Sequence, residues 1–156
     1  NRRAFWEALE HGPRQTQQPL GCLLVCDVDH FKQVNDRWGH GVGDAALQAL
    51  ARILKDSVRK GDLVARFGGE EFVLLLYGLT PAGAQAVGER IRQRLQKLRF
   101  ADLPSSFRIT VSMGLVPVQE PAALASSLQR ADALLYQAKQ QGHNRICSEP
   151  LAELAA

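Results

Sequence analysis

Arg66-Phe67-Gly68-Gly69-Glu70-Glu71-Phe72 lies between two apolar runs, Leu63-Val64-Ala65 before it and Val73-Leu74-Leu75-Leu76 after it. Gly-Gly between two such runs reads as a tight hairpin turn of type I′ or II′, because both types need positive φ. Two acids follow directly. Adjacent strand residues point to opposite faces, so Glu70 and Glu71 are expected to do different jobs. On this stretch alone, a surface hairpin with solvated acids and a functional acidic turn weigh the same.

The rest of the chain bounds the choice. With 156 residues, 46% hydrophobic and 22% charged, it reads as one globular domain with a sizeable core over residues 1–148, followed by a tail over 149–156. A formal charge of +3 suits an anionic ligand and is too small to argue for nucleic acid. The apolar run from Leu20 to Cys26 is far too short to span a bilayer. Three cysteines without framework spacing argue against a disulfide scaffold. Cys22 and Cys26 share a face of a strand-like run and read as small core residues.

Along the chain, residues 2–10 read as a short helix and 11–19 as a polar loop with two prolines. Residues 20–28 form a near-continuous apolar strand, the pattern of a strand buried on both faces. It ends in Asp27-Val28-Asp29. Acids at the end of a buried strand are costly unless paired or bound to a cation, and hard divalent cations prefer carboxylate oxygens. Asp27 is therefore read as a metal ligand and Asp29 as the N-cap of the next helix.

Phe31–Asp36 reads as a helical turn, and Gly39, Gly41 and Gly43 follow. Their spacing is not that of a dinucleotide fingerprint, and no Walker-type Gly-Lys-Ser/Thr is present. These glycines are expected to let the backbone turn and approach something closely. Helical spacing then runs from Asp44 to Val58, over 81–98 from Pro81, and from Leu124 to Gln140. Arg90, Arg92 and Arg94 on the second of these are expected to be mostly a solvated face. Phe107–Val116 alternates as a strand with Gly114 as a bulge candidate, Gly142 suits the position after a helix end, and His143–Cys147 reads as an edge strand. The order α, β, α, β-hairpin, α, β, α, β predicts an α/β or α+β sandwich, a mixed sheet with covering helices.

If the first strand neighbours the hairpin, Asp27 and Glu70, with Asp29 or Glu71, converge at one sheet end. Acids from separate strands, divalent metal and nearby lysines are what phosphoryl or nucleotidyl transfer requires. Lys32 and Lys139 could meet phosphates; Asn35 and Asp44 offer donor and acceptor edges that suit guanine.

At this point the sequence resembles the GGDEF, or diguanylate cyclase, family in its GGEEF form. The matching residues are Asp27-x-Asp29-x-Phe31-Lys32-x-x-Asn35-Asp36-x-x-Gly39-His40-x-x-Gly43-Asp44, then Arg66-x-Gly68-Gly69-Glu70-Glu71-Phe72. Ser112-x-Gly114, Ala131-Asp132, Tyr136-x-Ala138-Lys139 and Gly142-x-Asn144-Arg145 also fit. The resemblance implies a palm-like fold related to nucleotide cyclases and polymerases, with a catalytic β-hairpin. It implies condensation of two GTP into cyclic di-GMP with loss of two pyrophosphates, by a homodimer in which each domain holds one GTP.

Carried over by position, Asp27, the Val28 carbonyl and Glu70 would bind Mg²⁺ or Mn²⁺, with Glu71 lining the same site. Which of Glu70 and Glu71 helps deprotonate the ribose 3′-hydroxyl is left open. Asn35 and Asp44 would hold guanine. Lys32, Lys139 and main-chain amides near His30 and Phe31 would meet the phosphates. Arg59-x-x-Asp62, alone a common helix-end charge pair, would be the product-binding inhibitory site, joined by Arg90.

Two departures stand out. The family often has Arg where His143 stands, so weaker phosphate binding is expected, with Arg145 as compensation. The family's usual Leu-Thr-Gly-Leu stretch does not precede Asn1-Arg2-Arg3, which implies a piece of a longer protein with an N-terminal sensory or dimerising module. The implied location is cytoplasmic for the domain, with membrane anchoring of the parent left open. The alternatives are a catalytically silent domain that binds GTP or cyclic di-GMP, and a related cyclase using ATP.

Overall fold

The computed structural model describes residues 1–11 and 19–149. The loop expected over 11–19 and the tail over 149–156 fall almost entirely outside them. The elements are α1 (Arg2–His11), β1 (Gly21–Val28), α2 (Phe31–Trp38), α3 (His40–Ser57), β2 (Leu63–Arg66), β3 (Glu71–Tyr77), α4 (Pro81–Lys97), β4 (Val111–Val118), a single 3-10 turn (Pro121–Ala123), α5 (Leu124–Gln140) and β5 (Ile146–Ser148). The five strands form one mixed sheet in the order β2-β3-β1-β4-β5. β1 is central and antiparallel to both β3 and β4, while β5 is a parallel edge strand.

The burial pattern explains the unbroken apolar run of β1, whose eight residues are all buried. Cys22, Leu24, Cys26 and Val28 face one core, closed by Leu50 and Leu54 of α3 and Ile91 and Leu95 of α4. Leu23 and Val25 face a second core, closed by Phe5 and Leu9 of α1 and Leu134 and Leu135 of α5. Helices on both faces of a mixed sheet give the expected sandwich. The two buried cysteines are core residues, and Cys22 donates its Sγ hydrogen to the Leu79 carbonyl at 3.3 Å.

Four local expectations change. α3 begins at His40, so Gly41 and Gly43 lie inside a helix and only Gly39, at φ 93°, makes the turn. A Cβ at Gly43 would come within 1.8 Å of Asn35 Oδ1, so the close approach at this glycine is α2 against α3. The strand expected over 107–116 runs over Val111–Val118 instead, because Phe107 closes a turn by donating its N–H to Pro104 at 2.9 Å. Gly114 is not a bulge: it pairs with Val25 in regular register, and a Cβ there would meet the Ala131 carbonyl oxygen at 2.0 Å. The glycine lets α5 lie close on β4. β5 starts at Ile146 because His143 and Asn144 are held in a turn.

Candidate active site

The end of β1 brings acids from two strands together. Asp27 pairs directly with Glu71 across β1 and β3. Val28 donates its N–H to the Glu70 carbonyl at 3.3 Å, which makes Asp27 and Glu71 a non-hydrogen-bonded pair, the kind whose side chains come closest. Both side chains lie on the α5 side of the sheet. Lys139, in the last turn of α5, donates to Asp27 Oδ2. Asp27 Oδ1 is buried and has no hydrogen-bond partner among the described residues.

Burial raises the Asp27 carboxyl above its ordinary range, against the pull of Lys139. Burial also raises Glu71, with Asp132 of α5 and then Asp27 adding to the shift, and burial raises Asp132. Three carboxyls held high, with Lys139 bonded to Asp27 and Arg2 near the other two, form a site that gains from an added cation. Among the described residues, no group of three or more His, Cys, Asp or Glu side chains is already gathered as a metal cage. A cation here would draw on a few carboxylates, a carbonyl and ligand oxygens, the habit of Mg²⁺ at phosphate sites.

The glycine turn differs from a two-residue hairpin. Arg66 pairs with Phe72, so five residues connect the last paired positions, and neither Gly68 nor Gly69 has positive φ. Phe67 donates its N–H to Glu71 O at 2.9 Å. Arg66 shapes the loop: its Nε donates to the Gly68 and Gly69 carbonyls at 3.1 and 3.0 Å, and its Nη2 to Gly69 at 2.6 Å. A Cβ at Gly69 would meet nothing within 4 Å. Neither φ nor the chain's own packing requires glycine there.

From the other side, α1 supports this loop. The Phe5 ring meets Phe67 edge-on at 5.3 Å, and the Arg2 guanidinium lies 4.7 Å from the centre of the Phe67 ring. Arg2 and Asp132 line a cavity of about 240 Å³ with Trp6, Phe67, Glu71 and Leu128. In the sequence Asp132 fits the family pattern without a role and Arg2 has none; the packing of α1 and α5 brings both to Glu71.

Asn35 and Asp44 come from neighbouring helices, α2 and α3. Asn35 Oδ1 is buried without a partner among the described residues. Asp44 lines a cavity of about 350 Å³ with Leu47, Gln48, Ala51, Arg66 and Phe72, between α3 and the hairpin. Phe31 and Lys32 open α2, Lys32 exposed and Phe31 partly buried.

Asp29 is not the N-cap of α2. That position is His30, at φ 54°, and it makes no side-chain cap. Asp29 instead accepts from Thr110 Oγ1 at 2.7 Å, Ser112 Oγ at 2.6 Å and the Asn144 N–H at 2.9 Å. These bonds tie the end of β1 to β4 and to the turn after α5. The His143 ring lies 4.3 Å from that of His30, at the entrance to α2.

Arg59, Asp62 and Arg90 gather where α3 ends, at the sheet end away from Asp27. Asp62 is deeply buried and accepts the N–H groups of Arg59 at 2.9 Å and Tyr77 at 3.1 Å. Arg59 donates to the Tyr77 carbonyl. Arg90 donates to the Ser57 carbonyl at 3.1 Å. Asp62 thus closes the turn and the two arginines flank it. The expected solvated face of α4 holds for Arg90 and Arg94 but not for Arg92, which is 18% exposed and bonds Glu89, Gln96 and Asn144.

The family model described as diguanylate cyclase, GGDEF domain, matches residues 1–145. The chain belongs to the GGDEF family. It is 42% identical over 149 residues to the diguanylate cyclase DgcM of Escherichia coli K12, a match covering 94% of this chain and 35% of DgcM. The solved active GGEEF domain of a Vibrio cholerae diguanylate cyclase is similar at 31% identity and a TM-score of 0.84, covering 96% of this chain and 97% of that one. The GGDEF domain of DgcB from Caulobacter crescentus, solved in complex with c-di-GMP, is similar at 33% identity and a TM-score of 0.76, covering 94% and 84%. The chain spans about a third of the length of curated relatives it matches. Among its described residues, no helix is long and apolar enough to cross a membrane.

Proposed function

We propose that this GGDEF domain is the catalytic part of a diguanylate cyclase, condensing two GTP into cyclic di-GMP and two pyrophosphates. The observation that carries the reading is Asp27: a buried carboxylate at the end of the central strand, opposite Glu71, bonded to Lys139 and left with one oxygen that no group among the described residues satisfies. A buried oxygen of this kind fits a hard cation. Asp27, the Val28 carbonyl and Glu70 would hold Mg²⁺ or Mn²⁺, with Glu71 lining the same site. When bound, the ion supplies Lewis-acid neutralisation of the triphosphate.

In each condensation the 3′-oxygen of one GTP bonds to the α-phosphorus of the other. The bond from that phosphorus to the bridging oxygen breaks, and pyrophosphate leaves with the electron pair. The hydroxyl proton goes to a base, for which Glu70 and Glu71 are the carboxylates at hand. Lys139 exchanges Asp27 for phosphate, and Lys32, His143 and the amides opening α2 complete the phosphate site. Asn35 and Asp44 hold guanine; the buried Asn35 Oδ1, without a partner among the described residues, supports this. Each domain holds one GTP, so two copies must face each other.

Arg59, Asp62 and Arg90 form the inhibitory site for cyclic di-GMP, with the arginines supplying forked donors. The DgcB complex supports product binding by this family. An upstream sensory or dimerising module controls the pairing in the parent protein, with the domain itself in the cytoplasm. Competition between GTP and ATP in the presence of Mg²⁺ tests the substrate: the reading requires preference for GTP, and preference for ATP or indifference contradicts it.

A further inference from the structure

The turn after α5 holds two successive non-glycine residues in the left-handed region, His143 at φ 64° and Asn144 at φ 51°, directly after Gly142 at φ 119°. Such backbone persists only where its surroundings over-determine it. The helix end supplies part of the constraint. Gly142 donates its N–H to the Lys139 carbonyl at 3.3 Å and His143 to the Ala138 carbonyl at 3.0 Å, the paired bonds of a Schellman end.

Asn144 is gripped from two further directions. Its N–H bonds Asp29 Oδ2 at 2.9 Å and Ser112 Oγ at 3.2 Å. Its Oδ1 accepts from Arg92 Nη1 at 3.0 Å. Arg92 is itself fixed by Glu89, at 2.8 Å to Nη2, and by Gln96, at 3.2 Å to Nη1. The guanidinium reaches across from α4 to a turn far along the chain. A helix-surface arginine does not need that contact for its own solvation.

We propose that Arg92 is a positioning residue for the triphosphate: through Asn144 it holds the strained turn that presents His143 beside the entrance to α2. The proposal rests on the reading of this site as a GTP site. An imidazole is short and has only two ring nitrogens, so His143 reaches a phosphate only if its backbone is held in place. Arg92, Asn144 and Asp29 hold it.

The test is a double-mutant cycle on the binding of 3′-deoxyguanosine triphosphate with Mg²⁺, a probe that lacks the attacking hydroxyl and so reports binding without turnover. Arg92→Ala is expected to weaken binding about tenfold, the size of one charge-assisted hydrogen bond. In a His143→Ala background the same change is expected to cost less than about twofold, because the group that Arg92 positions is already gone. Equal losses in both backgrounds would overturn the proposal, as would unaltered binding by Arg92→Ala. If Arg92→Ala does not fold, Asn144→Gly removes the same bond from its other end while keeping positive φ accessible, and the same cycle is read with it. A wild-type chain that binds no probe would overturn the reading of the site, and the proposal with it.

Discussion

Asp27 and Glu71 face each other across the central strand pair, two carboxyls on one side of the sheet with Lys139 bonded to only one of them. Like charges directly opposite on a sheet are destabilising, so this end of the sheet is arranged at the expense of the fold's own stability. The arrangement makes sense where a cation and a phosphate chain bind.

The first consequence concerns pH. Burial holds Asp27, Glu71 and Asp132 above the ordinary carboxylate range. A carboxyl whose folded pKa exceeds its unfolded value binds its proton more tightly in the native state. Its stabilising contribution is complete below the unfolded value and is lost as pH rises through the folded value. Glu71→Gln is therefore expected to stabilise the ligand-free protein at pH 7.5 by up to about 1 kcal/mol, with the gain shrinking toward acid pH. Thermal melts of both proteins across pH 4–8 check this; a gain that grows toward acid pH contradicts it.

Lys139 neutralises a buried acid in the ligand-free protein, and in the proposed site it would turn to phosphate. Lys139→Ala is expected to cost roughly 1–2 kcal/mol, less than a fully buried pair because the ammonium is partly exposed. It should also abolish tight GTP binding. Chemical denaturation and calorimetry measure the two effects separately.

At Gly69 stability and function should separate. A Cβ has open space there and φ is not positive, so Gly69→Ala should fold and melt like wild type or gain about 0.4–1 kcal/mol. Turnover should fall sharply if nucleotide passes over this backbone. Full activity in the alanine variant would remove the glycine from the site.

Gly114 gives the opposite outcome. Gly114→Ala drives a methyl into the backbone of α5, which carries Asp132 and Lys139. A loss of roughly 1–3 kcal/mol or more is expected, with activity falling in step. Urea unfolding read by circular dichroism measures it.

Arg59→Ala should relieve inhibition by cyclic di-GMP with turnover retained. Asp62→Ala should cost roughly 1–3 kcal/mol in addition, because the N–H groups of Arg59 and Tyr77 lose their acceptor. Inhibition curves and melting temperatures for the two variants distinguish a ligand site from a helix-end pair.

The parts legible in the sequence were those set by local periodicity. The unbroken apolar run marked β1 as central, and the helical spacing of α4 and α5 placed both within a residue or two. The acids at Asp27 and the hairpin were visible as an expense that a plain fold does not need. Most of what escaped was fixed by contacts distant in sequence. Asp29 is a good N-cap residue by type, yet Thr110, Ser112 and Asn144 claim it. Gly114 reads as a bulge until α5 is seen lying on it. The Gly68-Gly69 turn mimics a two-residue hairpin, while Arg66 holds a longer loop by its carbonyls. Arg92 looks like one of three solvated arginines until the turn at Asn144 reaches it.

The most direct test of the proposed chemistry is product formation by the domain fused to a dimerising helix, supplied with GTP and Mg²⁺, beside the same fusion carrying Asp27→Asn. Cyclic di-GMP and pyrophosphate in a 1:2 ratio are expected from the first and neither from the second. A folded, dimeric, GTP-bound wild-type fusion that forms no cyclic di-GMP, or an Asp27→Asn fusion that forms it as fast, would contradict the account.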